Sequence, residues 1–175
     1  LASLYSLGYC YILTYADITT GEIYSEVLEQ DPNIIINKII YLGIKEIIAN
    51  SKVDKEIISS LKNIYKLPIT ITDSLYEENN YSYITENITD ERYIIGTKHL
   101  IYYLTINLKR NISHFQKLSI RINNEYLKMD IHTKRNLELT ESIRNKERMY
   151  SLLWLLDETK TAMGGRLLKS WIESP

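Results

Sequence analysis

The chain has 175 residues, 45% of them hydrophobic and 25% charged, with a formal net charge of −1. That is an ordinary soluble globular composition, long enough for one domain and part of another, and it lacks the basic excess of a dedicated nucleic-acid module. Cys10 is the single cysteine, so neither an intrachain disulfide nor a cysteine-built metal site is possible.

Leu1–Ser6, Tyr9–Ile18 and Glu22–Leu28 are rich in β-branched and aromatic residues and are separated by the turn signals at Gly8 and Thr19-Thr20-Gly21. Such short connections predict an antiparallel meander. Asp31-Pro32 opens a helix, with Asp31 as N-cap and Pro32 at the first helical position. Ile35, Ile36, Ile39, Ile40 and Leu42 form its apolar face, and Gly43 ends it. The apolar run 44–49 reads as a buried strand. Ser51 and Asp54 have capping-box spacing for a second helix, with Val53, Ile57, Leu61 and Ile64 on one face and Pro68 closing it. A further strand covers 69–72. A meander followed by strand–helix alternation implies an α/β fold, a mixed sheet flanked by helices.

Residues 73–80 read as a short helix or turn, and Gly96-Thr97 precedes a third helix over 98–108 with Leu100, Ile101, Leu104 and Leu108 on its apolar face. Lys109–Gln116 is polar and reads as a linker. Leu118–Ile122 and Tyr126–Met129 alternate around Asn123-Asn124, which suits a hairpin. Asp130 then caps a helix running to about Ile143.

The last twenty residues read as a helix end, a tight connection and a new helix. Thr161 is its expected N-cap, Leu167, Leu168 and Trp171 form one stripe, and Pro175 stops the pattern. The pair Gly164-Gly165 is costly near a helix start, so something needs two positions without side chains, most simply another backbone packed close.

Two strings in this region carry a resemblance. Met129-Asp130-Ile131-His132-Thr133-Lys134-Arg135-Asn136-Leu137-Glu138-Leu139 has the pattern M-D-x-x-T-x-x-N-L-E-L. Leu156–Pro175 has the pattern L-D-x-T-x-T-x-M-G-x-R-L-L-x-x-W-x-x-x-P, set by Asp157, Thr159, Thr161, Met163, Gly164, Arg166, Leu167, Leu168, Trp171 and Pro175. Both resemble signatures at the entry to the core (lever) domain of the MutS family of DNA mismatch-repair proteins. The resemblance implies that residues 1–117 are the connector domain, with an RNase H-like fold, and that residues 118–175 begin a mostly helical core domain. It also implies a parent protein that is an ATPase using ATP and Mg²⁺. That parent would form a homodimer, hold mismatched duplex DNA through other domains and act with a MutL-like partner. The chain itself has no G-x-x-x-x-G-K-[ST] loop, and the family's Phe-x-Glu wedge is absent, since Phe115 is followed by Gln116. The expectation is therefore a fragment with no activity or cofactor of its own. Lacking a signal peptide or a long apolar run, it is expected to be cytoplasmic and not to bind a membrane.

In the family the connector surface near Tyr76, Glu77 and Glu78 contributes to docking MutL; an ordinary exposed polar turn is the competing reading. The alternative function is an RNase H-like metal-dependent nuclease or resolvase. It needs several carboxylates around two cations, and Asp17, Glu22 and Glu26 are the available acids of the first strands. His99, His114 and His132 have no companion at metal-ligand spacing and read as surface or helix-end histidines. The basic residues Lys109-Arg110, Lys134-Arg135 and Arg144-Lys146 could meet DNA phosphates, but the interleaved Glu138, Glu141 and Glu147 favour a solvated face. If the core helices lack their usual neighbours, Leu152, Leu153, Trp154, Leu155, Leu156 and Trp171 form an apolar patch that favours self-association.

Overall fold

A computed structural model describes residues 1–121 and 131–173. The chain divides into two compact units, Leu1–Ile122 and Asn123–Pro175.

The first unit is built on a six-stranded sheet: β1 (Ala2–Ser6), β2 (Tyr11–Ala16), β3 (Ile23–Leu28), β4 (Ile47–Ala49), β5 (Ile69–Ile71) and β6 (Ser119–Ile120), in the order β5-β4-β1-β2-β3-β6. The meander is antiparallel, as its short turns require, with Leu4 opposite Leu13 and Leu13 opposite Glu26. β4 joins β1 and β5 joins β4 in parallel, because each return passes through a helix.

Helix α1 (Pro32–Tyr41) begins as the sequence dictates, with the Asp31 carboxylate accepting from the Asn33 amide at 2.8 Å. Helix α2 (Lys55–Asn63) is capped differently from the expected box: its N-cap is Asp54, whose carboxylate accepts from the Tyr11 hydroxyl at 2.8 Å. The Ser51 amide donates instead to Asp73, also at 2.8 Å, so the turn 51–54 is tied to the sheet and not to its own helix. Ile35 and Ile39 of α1, Ile57 and Leu61 of α2, and Val53 in the turn before α2 pack on Leu4, Leu13, Ile47 and Ala49. Ile64 lies past the end of α2 and is exposed.

The opposite face is covered by α3 (Glu91–Tyr102), which continues as a π-turn over Tyr103–Asn107, and by the 3-10 turns of Asn79–Thr85. α3 starts seven residues before the expected position. Asp90 is its N-cap, accepting from the Arg92 amide at 3.0 Å, and Gly96 and Thr97 are interior and buried. Gly96 is there because the helix lies on the sheet: a Cβ would stand 2.6 Å from Thr14 Oγ1 and 2.7 Å from Ile12 Cγ2. Leu100, Ile101 and Leu104 are buried as expected, whereas Leu108, beyond the π-turn, is exposed.

Residues 109–116 are not a free linker. Ile112 and Phe115 are buried with Leu118 in the α3 layer, and the Gln116 amide donates to Gly21 O at 2.8 Å. Gly21, at φ +74°, lies so close to His114 O that a Cβ would be 2.5 Å from it. Ser119–Ile120 then pairs in parallel with β3, so this stretch joins the first unit's sheet. The expected turn at Asn123-Asn124, the strand 126–129 and the cap Asp130 lie outside the described residues.

The second unit holds α4 (Ile131–Asn136), α5 (Leu152–Leu156) and α6 (Ala162–Glu173). α4 stops well short of Ile143. Glu138 takes φ +48°, its amide donates to Arg135 O, and its carboxylate accepts from the Ile143 amide at 2.7 Å. Glu138 O and Leu139 O then accept from the Leu152 and Leu153 amides, closing the intervening segment into a loop.

Candidate functional site

The second family-like string folds into one connected turn between α5 and α6. Ser151 caps α5, its hydroxyl oxygen accepting from the Trp154 amide at 3.2 Å. At the other end of α5, Asp157 Oδ1 accepts from the Thr159 amide at 2.9 Å and from the Thr159 hydroxyl at 2.6 Å, while Oδ2 pairs with the Arg148 guanidinium. The Thr159 hydrogen bonds, with Arg148 adding charge, hold the Asp157 carboxyl below the usual carboxylate range. Thr161 Oγ1 accepts from the Gly164 amide at 3.1 Å and caps α6 as expected.

The paired glycines are explained by this turn. A Cβ at Gly164 would stand 3.2 Å from Thr161 Oγ1 and 3.3 Å from Thr159 Cβ; one at Gly165 would stand 3.3 Å from Thr159 Oγ1. Among the described residues, the space is used by side chains of the preceding turn and not by another backbone. Arg148 was not legible as a member: it precedes Asp157 by nine residues across a loop, and neither string contains it.

The other motif residues are scattered. Thr133 and Asn136 are in α4 and Leu137 follows it, exposed. Met163, Leu167 and Trp171 are exposed on α6, Leu168 is half-buried and Arg166 is exposed beside the turn. No residue of α6 is buried within the described chain, so its apolar stripe is a surface there. Pro175, like Asp130, lies outside the described residues.

Of the expected docking residues, only Glu77 and Glu78 are exposed. Tyr76 is buried in the α3 layer, 5.6 Å from the Tyr81 ring, and its hydroxyl donates to Glu78 Oε2 at 3.0 Å. Asn80 Nδ2 donates to the same carboxylate oxygen at 2.9 Å, which fixes Glu78 at the surface.

The three acids of the nuclease alternative sit in different surroundings. Asp17 Oδ1 accepts from the Thr19 amide at 2.8 Å in the β2–β3 turn. Glu22 directly precedes β3, its amide donating to Thr20 Oγ1 at 3.4 Å. Glu26 is not on a solvent face: it is 1% exposed, facing α1, with Lys38 Nζ 2.7 Å from Oε2. Burial raises its pKa, and Lys38 opposes the shift. Among the described residues no three His, Cys, Asp or Glu side chains converge as a metal site.

His99 is not a surface histidine. It is fully buried in the last turn of α3, a helix-end position, where the sequence placed the helix start. Nε2 is 2.7 Å from Thr72 O, an acceptor, so Nε2 carries the proton; in the neutral ring Nδ1 then accepts from the Ser3 hydroxyl, also at 2.7 Å. One ring thus ties α3 to β1 and to the segment after β5. Burial lowers its pKa. His114 is exposed with Nε2 2.9 Å from Ile18 O, and the His132 side chain lies outside the description.

Comparison with known proteins gives two findings. The family model MutS domain III matches residues 132–175. DNA mismatch repair protein MutS of Bacillus cereus is 38% identical over 165 residues, 94% of this chain and 19% of that protein. DNA mismatch repair protein MutS of Bacillus thuringiensis (strain Al Hakam) is also 38% identical over 165 residues, 18% of its own length. The chain thus spans about a fifth of the length of the curated relatives it matches. With the two strings, the domain III match and this identity through both units, the chain belongs to the MutS family.

Proposed function

We propose that the first unit is an RNase H-like connector domain and the second the start of the core (lever) domain of a MutS-like mismatch-repair ATPase. The observation that carries this reading is the similarity that runs through both units. The antiparallel meander extended by parallel β4 and β5 supports the RNase H-like assignment. The chain's role is mechanical. Nucleotide with Mg²⁺ and mismatched duplex DNA bind elsewhere in a homodimeric, cytoplasmic parent, and the connector's orientation follows the core helices. Such coupling requires an element with two arrangements that both sites bias.

The connector also presents a docking surface for a MutL-like protein at Glu77 and Glu78. Tyr76 serves there as the buried post that positions Glu78. Two exposed carboxylates suit a basic partner patch, which steers encounter and fixes register. The test is Glu77→Lys/Glu78→Lys in the full-length protein, with MutL-like partner binding and ATP hydrolysis both measured. Binding is expected to weaken at least about tenfold with hydrolysis unchanged. Unchanged binding overturns the docking site.

A further inference from the structure

The second unit gathers cations that the sequence disperses. Lys146, Arg148, Lys160, Arg166 and Lys169 all line one cleft of about 560 Å³ beside the α5–α6 turn. Glu141 and Asp157 are the only carboxylates among the described lining residues. Asp157 is already held by Arg148 and Thr159. Lys169 lies 3.7 Å from Glu173 on its own helix, an exposed pair of small worth. Among the described residues no ion pair involves Lys146 or Lys160. Cations held around one concavity repel each other and favour an anion between them. Thr140, Thr159 and Thr161 add hydroxyls to the same lining. No aromatic ring is among the described lining residues, so these offer a nucleobase no surface on which to stack.

We propose that this cleft binds the phosphate groups of a polyanion, without reading base or sequence. Arg offers a planar fork and Lys a mobile point charge, both suited to phosphate oxygens. The chemistry is shared by a nucleic-acid backbone and a free polyphosphate, and it stands whether or not a MutL-like protein docks at Glu77 and Glu78.

The test is a titration of the whole chain with pyrophosphate, ATP and a duplex DNA of about 20 bp, following the Gly164 and Gly165 amide resonances. A saturable shift that weakens with added salt is expected. In Lys146→Ala/Lys160→Ala the affinity is expected to fall about fivefold; Lys160→Gln alone replaces that variant if its spectrum is not native-like. Tighter binding of the duplex assigns the phosphates to a nucleic-acid backbone, and tighter binding of pyrophosphate or ATP assigns them to a free polyphosphate. No saturable shift with any of the three, or equal affinity in the folded variant, overturns the proposal.

Discussion

Gly96 of α3 faces Ile12 of β2 so closely that a Cβ at position 96 would stand 2.7 Å from Ile12 Cγ2. Ile12 is fully buried and Thr14, on the other side of the gap, is hydrogen-bonded to Ser25 at 2.8 Å, so neither neighbour can give way freely. In an exposed helix, Gly→Ala stabilises by about 1 kcal/mol. Here overpacking reverses the sign, and Gly96→Ala is expected to cost about 1–3 kcal/mol in denaturant unfolding. A stabilised variant would show that the helix does not approach the sheet this closely.

The Glu26–Lys38 pair is asymmetric. Glu26 is 1% exposed, whereas the Lys38 side chain is 23% exposed and can reach water without its partner. Lys38→Met strands a buried carboxylate and is expected to cost about 3 kcal/mol. Adding Glu26→Gln to it removes the stranded charge and should recover most of that loss. Equal stability of the single and double variants would show that Glu26 is solvated.

Burial lowers the His99 pKa below the ordinary 6.5, against the opposing pull of the Thr72 hydrogen bond and of Asp73. The unfolded chain therefore binds the proton more readily than the folded one. His99's contribution is complete above pH 6.5 and is lost as pH falls from there through the lower folded value. Glu26, whose pKa is raised, acts with the opposite sign: its contribution is complete below the ordinary 4.5 and is lost as pH rises through the folded value. The His99 share is isolated by comparing melting temperatures of the wild type and His99→Gln between pH 4.5 and 7.5. The gap between them should be widest at neutral pH and shrink towards acid. A gap independent of pH contradicts a buried neutral ring.

The second unit leaves large apolar side chains on its surface. Leu155 is 70% exposed and Trp171 63% exposed, and Trp154, Leu156, Met163 and Leu167 are exposed with them. Leu153 is the member of the expected patch that is buried. A patch of this kind drives association. The chain alone is expected to self-associate in light scattering, and Leu155→Glu/Trp171→Glu should shift the dissociation constant by at least about tenfold. A monomeric wild type at high concentration would contradict this.

The meander, α1 and α2 were legible because their apolar periods are local, and the α1 cap is explicit at Asp31-Pro32; the α2 cap was not, since Asp54 takes the place expected of Ser51. What failed was long-range. Gly96 reads as a helix breaker until Ile12 is known to lie against it. His99 reads as a surface or helix-end residue, and only Ser3 and Thr72, far away in sequence, reveal its burial and its two bonds. The parallel pairing of Ser119–Ile120 with β3 likewise has no local signal. At the α5–α6 turn, the Thr161 cap was legible from its residue type, whereas the Arg148–Asp157 pair was not, because no sequence spacing announces a contact across a loop.

The central claim is that these two units are the connector and the beginning of the core of a MutS-like ATPase. It is tested most directly by reading the coding sequence on both sides of the 175 residues. The expected result is a Phe-x-Glu domain upstream and a G-x-x-x-x-G-K-[ST] loop downstream. A start codon directly before Leu1 and a stop codon directly after Pro175 would contradict it.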